Sequence, residues 1–168
     1  MVAEIPNRAL TDEAPVYRRP MTEPEYLRQV QQLDLDALPA PRDHNGALLA
    51  LLGSPTIGSK EWVYRQYDHM VRTNTINLPG LGAGVVRIKG TSRALAMSLD
   101  GNGRYGWLDA FEGARLAVAE ACRNVVAAGA RPIGATNCLN FGNPERPEIM
   151  GQLVRAIEGI GDACRALD

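Results

Sequence analysis

An excess of charge of either sign is what this 168-residue chain most plainly lacks: 18 Lys and Arg stand against 19 Asp and Glu, a formal net charge of -1. That balance argues against a general polyanion-binding surface, so no nucleic-acid partner is expected. No unbroken apolar run reaches the roughly 20 residues a bilayer span requires, so no membrane role is expected either. The first ten residues include Glu4, Pro6 and Arg8, which is not the pattern of a secretory signal. Cysteine is scarce: Cys122, Cys138 and Cys164 are odd in number and show no Cys-x-x-Cys spacing. They read as free thiols in a reducing, cytoplasmic setting, and they do not supply the cluster of soft ligands that zinc needs. No internal repeat is present. The length suits one domain with a tail, able to bury a core.

What is there falls into three stretches. Residues 1–24 carry Pro6, Pro15, Pro20 and Pro24 among mixed charges and read as an extended linker, because each proline fixes φ and removes a donor. Residues 25–67 read as a short helical segment. Within it Glu25 to Leu33 forms a helix stopped near Pro39 and Pro41. Asp43 caps His44 to Leu52, which Gly53 ends, and Ser59 caps a further helix through Tyr67. Residues 68–168 read as an αβ domain. Ile76, the glycine-rich Leu78 to Gly84, Val85 to Lys89 and Ala94 to Leu99 are strand-like, with turns at Pro79-Gly80 and Gly90. Phe111 to Ala128 is the best helix, with Val118, Ala121, Cys122 and Val125 on one apolar face. Ile133 to Leu139 is the next expected strand. Glu148 to Leu167 is the last helix, with Met150, Leu153, Ile157, Ile160, Cys164 and Leu167 on one stripe of the kind that faces a core.

Several polar positions could carry chemistry. Asp100-Gly-Asn-Gly-Arg-Tyr105 follows a strand. Its carboxylate could hold a hard cation and its glycines would admit a phosphate, although Asp-Gly and Asn-Gly are also ordinary turns. The run Gly129-Ala-Arg-Pro-Ile-Gly-Ala-Thr-Asn-Cys-Leu-Asn-Phe-Gly-Asn-Pro-Glu145 passes from helix end through a strand-like run to a turn and a new helix. That is where an α/β protein holds a ligand, on backbone N–H groups at a helix start. Pro144 and Pro147 equally fit a plain turn and early helix positions. His69, beside Asp68, could be a general base, but a lone histidine is more often structural. His44 has no supporting residues around it.

Trp62-Val-Tyr-Arg-Gln-Tyr-Asp-His-Met-Val-Arg-Thr-Asn-Thr75, Tyr105 to Glu120, and Cys138-Leu-Asn-Phe-Gly-Asn-Pro-Glu145 together resemble one family. It is the large synthetase component of phosphoribosylformylglycinamidine synthase, the formylglycinamide ribonucleotide amidotransferase of purine synthesis. The resemblance runs from about Val2 to Asp168. It implies an α/β (α+β) fold like the N-terminal domain of aminoimidazole ribonucleotide synthetase. In that fold a mixed sheet is packed by long helices, and its strands form half of a barrel with a partner domain. The family enzyme is longer and has two related halves. This chain matches the linker into the second half and the nucleotide-type domain after it, short of the family's Gly-Asn-Val-Ser loop, so it reads as a piece.

The resemblance also implies roles. ATP and Mg²⁺ are the expected cofactors. The expected partners are the first half of the synthetase, a glutaminase subunit and a small bridging subunit. No catalytic residue is expected in this chain, since the family's catalytic histidine lies in the first half and His69 falls at the corresponding place in the second. Asn137 stands where the family usually has an aspartate that touches ATP. Asparagine keeps that shape without the charge. The alternative is that Asn137 only caps the end of a strand. Asp100, as metal ligand or phosphate neighbour, with Asn102, Arg104, Asn124, Asn140, Gly142 and Asn143, makes up an auxiliary phosphate or nucleotide site. Two departures stand out. The family turn usually reads Asp-Cys-Asn-Pro-Arg-Tyr, where this chain has Gly101 and Gly103. Related ATP-binding domains carry Asn-Asp where this chain has Asn124-Val125, which leaves Glu112 and Glu120 as the nearby carboxylates. Two other readings remain: a catalytically silent pairing module of that enzyme, and a stand-alone member of the same ATP-binding superfamily.

Overall fold

Helical spacing of apolar residues builds two long helices, and these dominate the packing of the computed structural model, which describes residues 2–168. Before them come four short pieces: α1 (Asn7–Leu10), α2 (Leu27–Val30), α3 (His44–Leu52) and α4 (Glu61–Tyr64). α3 starts behind Asp43 and stops at Gly53 as its sequence predicts, although the Asp43 carboxylate makes no capping hydrogen bond. Ser59 Oγ does accept from the Glu61 N–H at 3.2 Å, but α4 ends at Tyr64 rather than Tyr67. The helix expected over 25–33 shrinks to α2. None of the four buries a residue, and helices this short gain too little from their own hydrogen bonds to extend further.

The sheet has three strands, β1 (Thr75–Asn77), β2 (Gly84–Arg87) and β3 (Ala94–Met97), all antiparallel in that order. β2 and β3 form a hairpin that sets Val85 opposite Ala96 and Val86 opposite Leu95, and its connection passes through Gly90 at φ 79°. The expected mixed sheet is therefore corrected. Parallel pairing requires a crossover connection, and the segment placed to provide it is Ile133 to Leu139, after a long helix. That segment runs without ladder bonds among the described residues, and Ile133 is 88% exposed. Its composition favours an extended backbone locally, but pairing needs a neighbour that the three-stranded sheet does not offer it.

Three helices follow: α5 (Gly103–Leu108), α6 (Ala110–Ala127) and α7 (Pro147–Leu167). α5 lies where the sequence suggested only a turn. Asn102 Oδ1 caps it by accepting from the Arg104 N–H at 3.0 Å. Asp109 Oδ1 then caps α6, accepting from the N–H groups of Phe111 and Glu112 at 2.9 and 3.0 Å.

α6 and α7 bury their smallest residues, Gly159 against the other long helix, Gly151 against the connector at Thr22 and Gly113 against α5. α7 buries Gly151, Ala156, Gly159 and Ala163, and α6 buries Ala110 and Gly113. This corrects the expected core stripe of α7, since Ile157, Cys164 and Leu167 on that stripe are exposed. The reason is close approach: a Cβ on Gly159 would sit 2.3 Å from the Phe111 carbonyl oxygen, so this crossing excludes larger side chains. Around the crossing, Arg115 Nε meets Asp162 Oδ2 at 3.0 Å and the Arg155 guanidinium lies 4.4 Å over the Phe111 ring.

Candidate functional site

A polar cluster forms where the hairpin meets α6. Asp100 lies just beyond β3, and Asn124 sits in the last turns of α6. Asn124 Nδ2 donates to Asp100 Oδ1 at 2.8 Å, and Ser98 Oγ donates to Asp100 Oδ2. Ser98 Oγ also lies 3.1 Å from the Gly82 carbonyl, and Asn124 Nδ2 lies 3.4 Å from Ser98 Oγ. A serine hydroxyl has one proton, so Ser98 serves either the carboxylate or the Gly82 carbonyl, not both. Gly82 must be bare: a Cβ there would meet Asn124 Oδ1 at 2.6 Å. Ser98, Asp100 and Asn124 are all half-buried.

Asp100 and Asn124, singled out in the sequence for separate reasons, thus converge. Ser98 and Gly82 were not anticipated. The available signal for Ser98 was a hydroxyl inside the otherwise apolar run Ala94 to Leu99.

The remaining expected site residues behave differently. The Asn102 side chain is committed to capping α5, and Arg104 is exposed without an ion pair among the described residues. Asn140 Nδ2 donates to the Cys138 carbonyl at 3.1 Å. Asn143 Oδ1 accepts from the Glu145 N–H at 3.0 Å, while its Nδ2 donates to Glu145 Oε2 at 3.3 Å. Gly142 approaches Ile149, whose Cδ1 would lie 3.6 Å from a Cβ. These three shape the turn into α7 rather than joining Asp100. The structure places Asn137 in the unpaired extended run, exposed and with no side-chain hydrogen bond among the described residues. It is not a strand-end cap, because no strand forms there.

Beside this turn the Glu148 carboxyl is drawn below its ordinary range, first by a hydrogen bond from its own backbone N–H and then by Arg146, whose Nη2 lies 2.5 Å away. The imidazole of His69 makes no hydrogen bond among the described residues, and His44 is exposed. Glu112 pairs with Arg115 at 3.0 Å, and Glu120 is exposed.

The donor set bears on Mg²⁺. Among the described residues no three His, Cys, Asp or Glu side chains converge. One carboxylate, whose oxygens already accept from Asn124 Nδ2 and Ser98 Oγ, does not make a cage for a free cation. It does suit Mg²⁺ arriving on a polyphosphate, because that ion keeps several waters and takes only one or two protein carboxylates.

The chain is 54% identical over 167 residues to a protein of Moorella thermoacetica named phosphoribosylformylglycinamidine synthase subunit PurL. That match covers 99% of this chain but 23% of the relative, so the chain spans about a quarter of the length of the relative it matches. Residues 80–168, which hold the hairpin, the polar cluster and both long helices, match the family described as AIR synthase related protein, N-terminal domain. By that match the chain belongs to the AIR synthase related family, of which it carries the N-terminal domain.

Proposed function

We propose that this chain is part of a phosphoribosylformylglycinamidine synthase. In that reaction ATP activates the amide oxygen of formylglycinamide ribonucleotide. Ammonia drawn from glutamine then displaces phosphate to give the amidine, which makes the parent a carbon–nitrogen ligase of the cytoplasm. The observation that carries the reading is the identity to the PurL subunit, sustained over nearly the whole chain. It does not favour the silent pairing module or the stand-alone superfamily member. The partners on this reading are a first synthetase half, a glutaminase subunit and a small bridging subunit.

Within the parent enzyme, Asn137 faces ATP from its exposed run. Asp100 and Asn124 hold an auxiliary phosphate or nucleotide, with Arg104 at the start of α5 as its cation, while Asn102 contributes by capping α5 and Asn140, Gly142 and Asn143 by setting the turn into α7. Mg²⁺ on the phosphates would be held by Asp100. It supplies charge neutralisation, the general requirement of phosphoryl transfer. The chain's own contribution is to orient. Asn124 and Ser98 fix both oxygens of the Asp100 carboxylate, and Gly82, lacking a Cβ, lets the Asn124 amide lie against its backbone.

The test is reconstitution. With formylglycinamide ribonucleotide, ammonia and MgATP, the isolated chain should release ADP at background rate. Co-expression with the missing first half and the remainder of the second should restore substrate-dependent release, and Asp100→Ala should diminish it. Substrate-dependent turnover by the chain alone, abolished by Asp100→Ala, would refute the division of labour. Failure of the complete assembly to turn over would refute the function.

The same reading predicts self-association of the isolated chain. Leu95 and Met97 share one face of β3 and are 46% and 55% exposed, and Leu99 beyond them is fully exposed. Such a face and its open strand edges are covered when two half-barrels close. Sedimentation at micromolar concentration should show a dimer or larger species. A monomer at all concentrations would count against the barrel.

A further inference from the structure

We infer that Tyr26 and Gln152 are positioning residues that clamp the C-terminal end of α5 and so set the direction of the Asp100–Asn102 loop at its other end. This rests on the reading of that loop as phosphate-facing. The residues involved are 126 positions apart in sequence and meet at one hydroxyl. Gln152 Nε2 donates to Tyr26 Oη at 2.6 Å, and Tyr26 Oη donates to the Trp107 carbonyl at 2.7 Å. That carbonyl belongs to the last turn of α5, where helix carbonyls have no partner of their own. The Tyr26 ring also stacks on Trp107, with centroids 4.6 Å apart and planes 4° from parallel. Burial raises the Tyr26 hydroxyl above its ordinary pKa, and the Gln152 bond lowers it in part, so the phenol stays protonated and able to donate across the neutral range.

The clamp is itself anchored. The Thr22 N–H donates to the Pro147 carbonyl at 3.0 Å. The connector lies so close to α7 that a Cβ on Gly151 would meet the Thr22 carbonyl oxygen at 2.1 Å. On its other side α5 rests on α6 backbone to backbone, since a Cβ on Gly113 would lie 2.6 Å from the Gly106 nitrogen. Gly113 therefore acts as a pivot under the middle of α5, and the Tyr26 clamp stops rotation about it. A cavity of about 360 Å³ beside the clamp, partly lined by Pro24, Leu27 and Val154, gives Trp107 room to move once the clamp is released. α5 has six residues, beginning directly after Asn102, so a tilt at Trp107 moves Arg104 in its first turn and the loop before it that carries Asp100.

The experiment uses the 168-residue chain with Trp62→Phe, which leaves Trp107 as the sole tryptophan, excited selectively over the tyrosines. Tyr26→Phe keeps the stacked ring and deletes both hydrogen bonds. Gln152→Ala deletes one. Amide hydrogen exchange, Trp107 emission and MgATP affinity by calorimetry are compared in the three proteins. In both variants, exchange over residues 100–108 should rise and Trp107 emission should shift to the red. Over residues 112–127 exchange should stay the same. MgATP should bind about tenfold more weakly in Tyr26→Phe, the size expected for one or two hydrogen bonds. Unchanged exchange over 100–108, or an equal rise throughout α6, overturns the clamp. Local opening with unchanged MgATP affinity overturns the positioning role. Local opening in a chain whose parent form binds no MgATP leaves the clamp standing and removes the nucleotide reading of the loop instead.

Discussion

Gly159→Val should cost about 3 kcal/mol or more of unfolding free energy, the upper range for overpacking and a large part of the roughly 5–15 kcal/mol that holds a domain together. The three atoms nearest a Cβ on Gly159 are the carbonyl oxygen, carbonyl carbon and Cα of Phe111, at 2.3, 3.0 and 3.1 Å. All are backbone near the start of α6, so no side chain can turn aside to make room. The two helices would have to separate, and the buried Ala156 and Ala163 would lose their contacts with them.

The sign of a milder change makes the test sharper. In an isolated helix Gly→Ala is favourable by about 1 kcal/mol. Gly159→Ala should nevertheless destabilise, because the clash outweighs propensity. Gly161→Ala should stabilise, since its Cβ meets only the flexible Arg165 side chain, at 3.2 Å. Urea unfolding followed by circular dichroism measures all three. If Gly159→Ala and Gly161→Ala stabilise equally, the close crossing of α6 and α7 does not exist.

The same crossing shows what the sequence could reveal and what it could not. α6 and α7 were legible because each sustains helical spacing over 18 and 21 residues. Which face of α7 is buried was not. Periodicity weighs hydrophobicity, and it pointed to Ile157 and Leu167. The packing was decided by size, and it chose Gly151, Ala156, Gly159 and Ala163. α5 was hidden for a related reason, because Gly103 and Gly106 depress helix propensity. The signal present was a pair of capping residues, Asn102 and Asp109, one before each helix start.

The hairpin was legible from its apolar runs and the turn at Gly90. The pairing of Ile133 to Leu139 was not, because extended preference is local while a ladder needs a second strand. At the candidate site, residue type marked Asp100, and the family resemblance marked Asn124 and grouped the two. Their meeting, and the contributions of Ser98 and Gly82, depend on how α6 lies against the hairpin, which no local pattern encodes.

Asn137→Asp in the complete enzyme should tighten apparent MgATP affinity about fivefold to a hundredfold. That range corresponds to one charge-assisted contact of about 1–3 kcal/mol. The asparagine offers an amide oxygen where the resemblance implies a carboxylate. It can accept a hydrogen bond from the nucleotide but brings no charge toward the Mg²⁺ that accompanies ATP. Val125, where related domains carry the aspartate of an Asn-Asp pair, removes a carboxylate from the auxiliary site. Each loss corresponds to a weakening of about fivefold to a hundredfold at its own site relative to a charged one. In this chain MgATP binding should accordingly be weak. The substitution is a clean probe because the Asn137 side chain is exposed and bonds to nothing among the described residues. Exposed changes of this kind shift stability by only about 0.5 kcal/mol either way, so a change in affinity cannot be ascribed to unfolding. Titration calorimetry with MgATP at fixed ionic strength reads the result, with thermal unfolding of the 168-residue chain as control. If affinity is the same with asparagine and aspartate, position 137 does not face the nucleotide, and the ATP-binding role of this run should be abandoned.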